Sequence, residues 1–421
     1  MADPAEWNGP LVMYFDFRTY FRYLYLGFFR ARECHFQLPP RRIVGLVLFF
    51  TLFPLFELFT AVCLLLDHVF FPGFRRQELP TALFIVGPHR SGTTYLQRLL
   101  AKDDAQFFSF RVWEIAFPSI LQKKIIAGLG RLLGAHKERL KAAIRRHEAR
   151  QLGSFSKIMH EMSLFEPDED DMLLVHTFST LVLMFMVHAS TLEWLLYFDE
   201  KASDKDRERI MRFYRACLQR QAYCHGGTRI LLSKAPFNCF RIDSLYRYFP
   251  GCRQIYTVRN PLDAVPSMLD MLQSVWQLRG GMEGFPLQEQ AYDVIKAMYR
   301  YPLSRFAEAD PSSYQFVVYD SLLQHPSEVV RAIYEKFRYA LTEPFQKILE
   351  AEDEKQRAYR SPREYSLDRF GITREQILGD FRDIFARFDF GVRVAPEPGT
   401  ERGEAPVPNV HSEPCMPTKK R

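Results

Sequence analysis

Asparagine is nearly missing from this chain. None of its four residues (Asn8, Asn238, Asn260, Asn409) begins an Asn-x-Ser/Thr acceptor, so the sequence carries no N-glycosylation signal. Cysteine offers little more: seven residues, an odd number with no Cys-x-x-Cys pair, which excludes a zinc ribbon and argues against a disulfide framework. Both absences point to a reducing, cytosolic setting. Nor is there a long basic run before the C-terminal end. The net charge of +6 and pI near 8.8 therefore indicate local basic sites for an anionic ligand and no nucleic-acid surface. No internal repeat is present. What the chain does have is an apolar content of 47%, ample for a full core. Its 421 residues leave room for about two or three average domains, or for one elaborated α/β domain of about 300 residues.

The stretch from Thr81 to Leu100, TALFIVGPHRSGTTYLQRLL, organises the rest. An apolar run, Leu83 to Val86, stops at Gly87, passes Pro88, His89, Arg90 and Ser91, and resumes at Gly92 in a helical pattern from Thr93 and Thr94. Strand, glycine-framed loop and helix in that order predict a phosphate cradle made of backbone N–H groups and a helix N-terminus. The lysine that a nucleoside triphosphatase sets after its second glycine is missing. Position 93 is threonine, and the cation, Arg90, sits inside the loop. Pro88-His-Arg-Ser-Gly-Thr-Thr94 resembles the 5′-phosphosulfate loop of sulfotransferases that use 3′-phosphoadenosine 5′-phosphosulfate (PAPS), tyrosylprotein sulfotransferases among them.

Three strand signals follow, at residues 229–236, 253–261 and 314–323, separated by helical patterns, and a shorter one runs from Phe108 to Arg111. This alternation predicts an α/β fold: a P-loop-type parallel sheet flanked by helices, with ligands at the carboxyl ends of the strands. The first strand ends in Lys234, on the same rim as the loop. The second ends in Arg259-Asn-Pro-Leu-Asp-Ala-Val-Pro-Ser267, where an arginine at the strand tip and a serine one to two turns into the next helix reach one phosphate. This pairing looks like the 3′-phosphate site of PAPS-dependent sulfotransferases of the bacterial type. Tyr319-Asp-Ser-Leu322, and Tyr365-Ser366 ahead of Phe370-Gly371, are similar to later segments of the same family, so the resemblance covers about residues 80–390.

The resemblance implies transfer of a sulfuryl group from PAPS to a hydroxyl, or an amine, of a small-molecule, lipid or glycan acceptor, with no metal required. Gly87, Pro88, His89, Arg90, Ser91, Gly92, Thr93, Thr94, Arg259 and Ser267 would bind the donor, and Arg90 and Lys234 would stabilise negative charge during transfer. Glu114, after a tryptophan near the mouth of the sheet, is the expected general base, with His160 and Glu161 as second candidates. Arg360 and Arg363 would close over the nucleotide. The six acids between Glu161 and Asp171 read as the acidic start of a helix. Two rivals stand beside this reading. A P-loop kinase would use Asp320, at the end of an apolar strand, to hold Mg²⁺, but needs the lysine this loop lacks. A membrane-bound nucleotide-binding scaffold would keep the fold without turnover.

The ends of the chain have a different character. Residues 11–33 mix aromatics with arginine in the manner of an interfacial helix. Ile43 to Leu66 is long enough to span a bilayer, but Pro54 divides it and Glu57 charges it, which predicts an apolar hairpin within one leaflet and, as the alternative, a kinked single span. The expected organisation is a membrane-associating segment over 1–79, a catalytic domain over 80–393 and a disordered, proline-rich tail over 394–421. Such a protein would contact membrane lipids as a monotopic enzyme with its catalytic domain in the cytosol. A single-span, Golgi-type lumenal enzyme is the alternative.

Overall fold

The computed structural model describes residues 14–79, 81–134, 136–151, 163–181, 183, 193–278, 280–358 and 367–391. His160, Glu161, Arg360, Arg363 and the 394–421 tail lie outside the described residues. A parallel sheet of five strands runs through a mostly helical chain: β1 (Leu83–Val86), β2 (Phe107–Phe108), β3 (Ile230–Lys234), β4 (Arg253–Val258) and β5 (Tyr314–Val318), in the order β2-β3-β1-β4-β5. β1 lies at the centre and is wholly buried, as its unbroken Leu-Phe-Ile-Val run requires. Phe84 and Val86 enter one core cluster, Leu83 and Ile85 the other.

From β1 the chain moves outward to β2, returns through β3, and then crosses to the other side of β1 to form β4. The order thus reverses between β1 and β4, and a crevice opens there at the strands' carboxyl ends. Two expected strands prove shorter. Parallel pairing stops at Phe108, and the next residues run antiparallel to another segment, with Asp168 N donating to Phe110 O (3.1 Å) and Trp113 N to Leu164 O (3.1 Å). β5 stops at Val318, and a helix, Tyr319–Gln324, starts at once.

At the N-terminal side, Asp16 caps the helix Phe17–Phe29 by accepting from Thr19 N (3.0 Å). After two prolines comes a 31-residue helix, Pro40–Phe70, about 46 Å long at the usual rise. It is the one helix among the described residues long and apolar enough to cross a membrane. The expected hairpin is absent, because the helix runs straight through Pro54. Proline at 54 removes the N–H that would bond the Phe50 carbonyl. That acceptor is instead satisfied by the Tyr20 hydroxyl, which reaches it from the first helix.

Leu46, Phe50, Glu57, Thr60, Leu64 and Asp67 recur at helical spacing and form a buried stripe against the domain. Glu57, the charge that disfavours a bilayer crossing, lies on this stripe, as does Asp67. Glu57 meets His176 Nδ1 at 3.0 Å, while His176 Nε2 lies 2.8 Å from the Ile115 carbonyl. Asp67 accepts from Ser119 Oγ (2.8 Å), Ile120 N (3.0 Å), Leu121 N (2.9 Å) and Arg220 Nε (2.9 Å), so it caps the Ile120–Leu132 helix and pairs a fully buried arginine. The opposite face exposes Val47, Leu48, Leu55, Leu58, Val62 and Leu65, beside Phe17, Phe21, Tyr25 and Phe29 of the first helix.

Removing the Tyr20 hydroxyl leaves the Phe50 carbonyl without a donor. Tyr20→Phe should therefore lower unfolding stability by about 1–3 kcal/mol. In a Pro54→Ala background, which restores the backbone N–H, the same change should cost clearly less. A double-mutant cycle by denaturant unfolding checks this, and equal costs in both backgrounds would contradict it.

Candidate active site

The loop after β1 is shaped by how closely β4 approaches it. Gly87 has φ +155°, and a Cβ there would sit 2.3 Å from Thr257 Oγ1 and 2.5 Å from the Thr257 carbonyl, so no side chain fits. Ser91 is fully buried and ties the loop shut. Its hydroxyl donates to the Pro88 carbonyl (2.6 Å) and lies 2.7 Å from Thr257 Oγ1. Gly92, at φ +87°, precedes the helix Thr93–Leu100, and a Cβ there would meet the Tyr319 ring at 2.8 Å. Between the glycines Arg90 itself takes a left-handed backbone, φ +67°, an unusual conformation for a residue with a side chain.

That backbone aims Arg90 across the crevice toward the elements after β4. Arg90 Nε donates to Ser267 Oγ (3.1 Å), and Arg259 Nη1 donates to the Arg90 carbonyl (3.2 Å). The Arg259 guanidinium stacks over Tyr319 at 4.6 Å from the ring centroid, and its Nε is buried with no hydrogen-bond partner. A guanidinium at a cavity wall with a donor left over is suited to an anion. Arg90, Arg259 and Ser267, far apart in sequence, are thus brought together. Arg90 and Arg259 border a cavity of about 370 Å³ whose lining includes His89, Thr93, Thr94 and Tyr319, with Lys355 and Gln356 contributed by the Glu343–Ala358 helix, while Ser267, bonded to Arg90, is buried and outside that lining. Pro88 and Ser91 support the loop from within and are not in that lining.

The acid in the cavity wall is Glu169, a residue for which the sequence offered no role beyond helix charge. Its carboxylate accepts from Lys234 Nζ at 2.9 Å, and Asp168 lies 3.9 Å from the same ammonium. Lys234 is therefore on the expected rim but fully buried behind Glu169, which it holds in place. Glu114 is elsewhere. Its carboxylate accepts from Arg111 N (2.9 Å) within the short helix Val112–Ala116, its electrostatic influence falls on Lys123 and His225, and it is absent from the lining. The physical reason is topological: Glu114 follows the edge strand β2, and β3 stands between β2 and the crevice.

Glu169 is delivered by the antiparallel run of residues 164–168 along 110–113, a long-range pairing without a local signature. Below it the chain is anchored by Asp170, which accepts from Ser233 Oγ (2.8 Å) and Tyr214 Oη (2.9 Å). Burial pushes the Asp170 carboxyl up to about 6.

A model of the sulfotransferase family matches residues 80–343, well over half of the chain. No curated protein matches it in sequence. Among solved structures, sulfotransferase STF1 from Mycobacterium tuberculosis superposes with a TM-score of 0.66 at 20% identity, covering 87% of this chain and 92% of its own. Sulfotransferase STF9 from Mycobacterium avium gives 0.60 at 20% identity, covering 77% and 81%. At that identity the likeness speaks for the fold, while the family rests on the sequence match. The loop after β1 and the Arg259–Ser267 element both lie inside the matched span, and the chain belongs to the sulfotransferase family.

Proposed function

We propose that the protein transfers a sulfuryl group from PAPS to a hydroxyl, or less readily an amine, of an acceptor. The observation that carries the donor assignment is the junction of Arg90, Arg259 and Ser267, with Arg259 Nε buried and lacking an acceptor. PAPS would supply an activated sulfuryl: the acceptor oxygen bonds to sulfur, the bond from sulfur to the 5′-phosphate oxygen breaks, and adenosine 3′,5′-bisphosphate leaves. Arg259 and Ser267 suit the 3′-phosphate. The loop's N–H groups and the Thr93–Leu100 helix N-terminus suit the 5′ side, with Thr93 and Thr94 adding hydroxyls.

We assign the acceptor's proton to Glu169, which lines the cavity, and not to Glu114, which does not. Lys234 orients the Glu169 carboxylate and keeps a positive charge close to where negative charge develops. The reading also holds the catalytic domain at a membrane surface. Glu57 and Asp67 on the docked stripe support a helix lying in one leaflet, because a crossing would strip both acids of His176 and Arg220.

Three outcomes follow. Losing a charge-assisted contact costs about 1.5–3 kcal/mol, so Arg259→Ala should weaken adenosine 3′,5′-bisphosphate about ten-fold or more while leaving adenosine 5′-phosphate nearly unchanged. Calorimetry on both nucleotides tests this, and equal losses would remove the 3′-phosphate assignment. Glu169→Gln should keep nucleotide affinity and lower kcat by roughly 10²–10⁴, with Glu114→Gln within a few-fold of the parent; the reverse pattern would return the base to Glu114. For topology, probe cysteines introduced at Ala2 and Thr400 should react with an impermeant maleimide from the same side of sealed vesicles. Labelling from opposite sides would establish a single span.

A further inference from the structure

His89 lines two cavities. One is the crevice bordered by Arg90 and Arg259. The other, of about 100 Å³, is walled by Phe237, Met268, Leu272, Trp276, Val294 and Met298, among others. Among its described lining residues the polar side chains are His89 and Gln290, together with Trp276, whose Nε1 already donates to the Met282 carbonyl (3.3 Å). The His89 ring stands edge-on to Phe237, with centroids 4.9 Å apart, at the boundary between the polar and apolar sides.

The backing of this second cavity comes from the N-terminal segment. The Phe36 ring lies 4.4 Å from that of Trp276, Met282 N donates to the His35 carbonyl (2.8 Å), and Gln37 N donates to the Gly280 carbonyl (2.8 Å). These residues join the two helices, Phe17–Phe29 and Pro40–Phe70, that expose the apolar face described above. An apolar chamber beside the transfer site therefore packs directly on the connection between the two most apolar surface elements of the described chain.

Building on the sulfotransferase reading, we propose that this chamber takes the aliphatic part of a hydroxylated lipid and presents its hydroxyl past His89 to the crevice. A glycan fits the wall poorly, because each sugar hydroxyl stripped of water without a partner would weaken binding by about ten-fold. An aliphatic chain gains there. Each added methylene should tighten binding by about three- to four-fold until the chamber is full.

Trp276 reports on occupancy. With the full-length protein in nanodiscs, a series of primary bromoalkanols of increasing length should quench a fluorescence component that Trp276→Phe lacks. The dissociation constant should fall about three- to four-fold per methylene. Val294→Phe and Ala291→Leu, which narrow the chamber and leave Trp276 in place, should raise that constant ten-fold or more, while thermal stabilisation by adenosine 3′,5′-bisphosphate persists. Quenching that is independent of chain length, or unaffected in both filled variants, overturns the lipid proposal and leaves the donor reading standing. Loss of nucleotide stabilisation in the parent protein overturns the donor reading, and the lipid proposal falls with it.

Discussion

The site depends on one steric constraint, the contact between the loop after β1 and Thr257 of β4. With no room for a Cβ at Gly87 and with Ser91 bonded to Thr257, the two neighbouring strands deliver their tips to the same spot. Arg90 then lies within reach of Ser267, and Arg259 within reach of the Arg90 backbone. A side chain at 87 would push the loop away from β4 and separate Arg90 from Arg259. The sheet order supplies the crevice, and this contact determines what faces into it.

A second constraint acts at the N-terminal helices. Acids inside an apolar helix suggest either a function or an error of assignment when only the sequence is visible. In the fold they are docking points. Asp67 satisfies the start of one helix and neutralises Arg220, and Glu57 faces His176, so the 31-residue helix is fastened along its length to the domain it precedes. Breaking the Asp67–Arg220 pair would leave a buried charge uncompensated, a loss of about 3–5 kcal/mol. The unfastened face is the apolar one, and its orientation follows from where the acids sit.

Much of the crevice between β1 and β4 was legible in the sequence because the features that shape it are local. The glycine-framed loop with a cation inside it is one short stretch, and the strand-tip arginine followed by a helical serine is another. The five-strand parallel sheet was legible too, from alternation. What could not be read depends on partners distant in sequence. Continuity through Pro54 comes from a hydroxyl some thirty residues upstream. The acid at the cavity, Glu169, owes its place to a strand-like pairing of two segments that the hydropathy pattern does not connect. Glu114 had the right type and neighbourhood but follows an edge strand, and only the strand order reveals that it is one strand too far out.

The two cavities at His89 also affect one another. Coulombic stabilisation of a transferring group grows as water and mobile dipoles are removed, so in the proposed reaction an apolar wall beside the loop would strengthen what Arg90 and the loop N–H groups contribute. The same wall would keep competing water away from the proposed acceptor's place, which matters because water is itself a hydroxyl nucleophile. An acceptor that fills the apolar side would therefore complete the electrostatics of the donor side, while a small polar acceptor would leave the chamber open to solvent and weaken them. On the proposed reading the polarity of the two compartments would link acceptor choice to rate as well as to affinity, with His89 lining both.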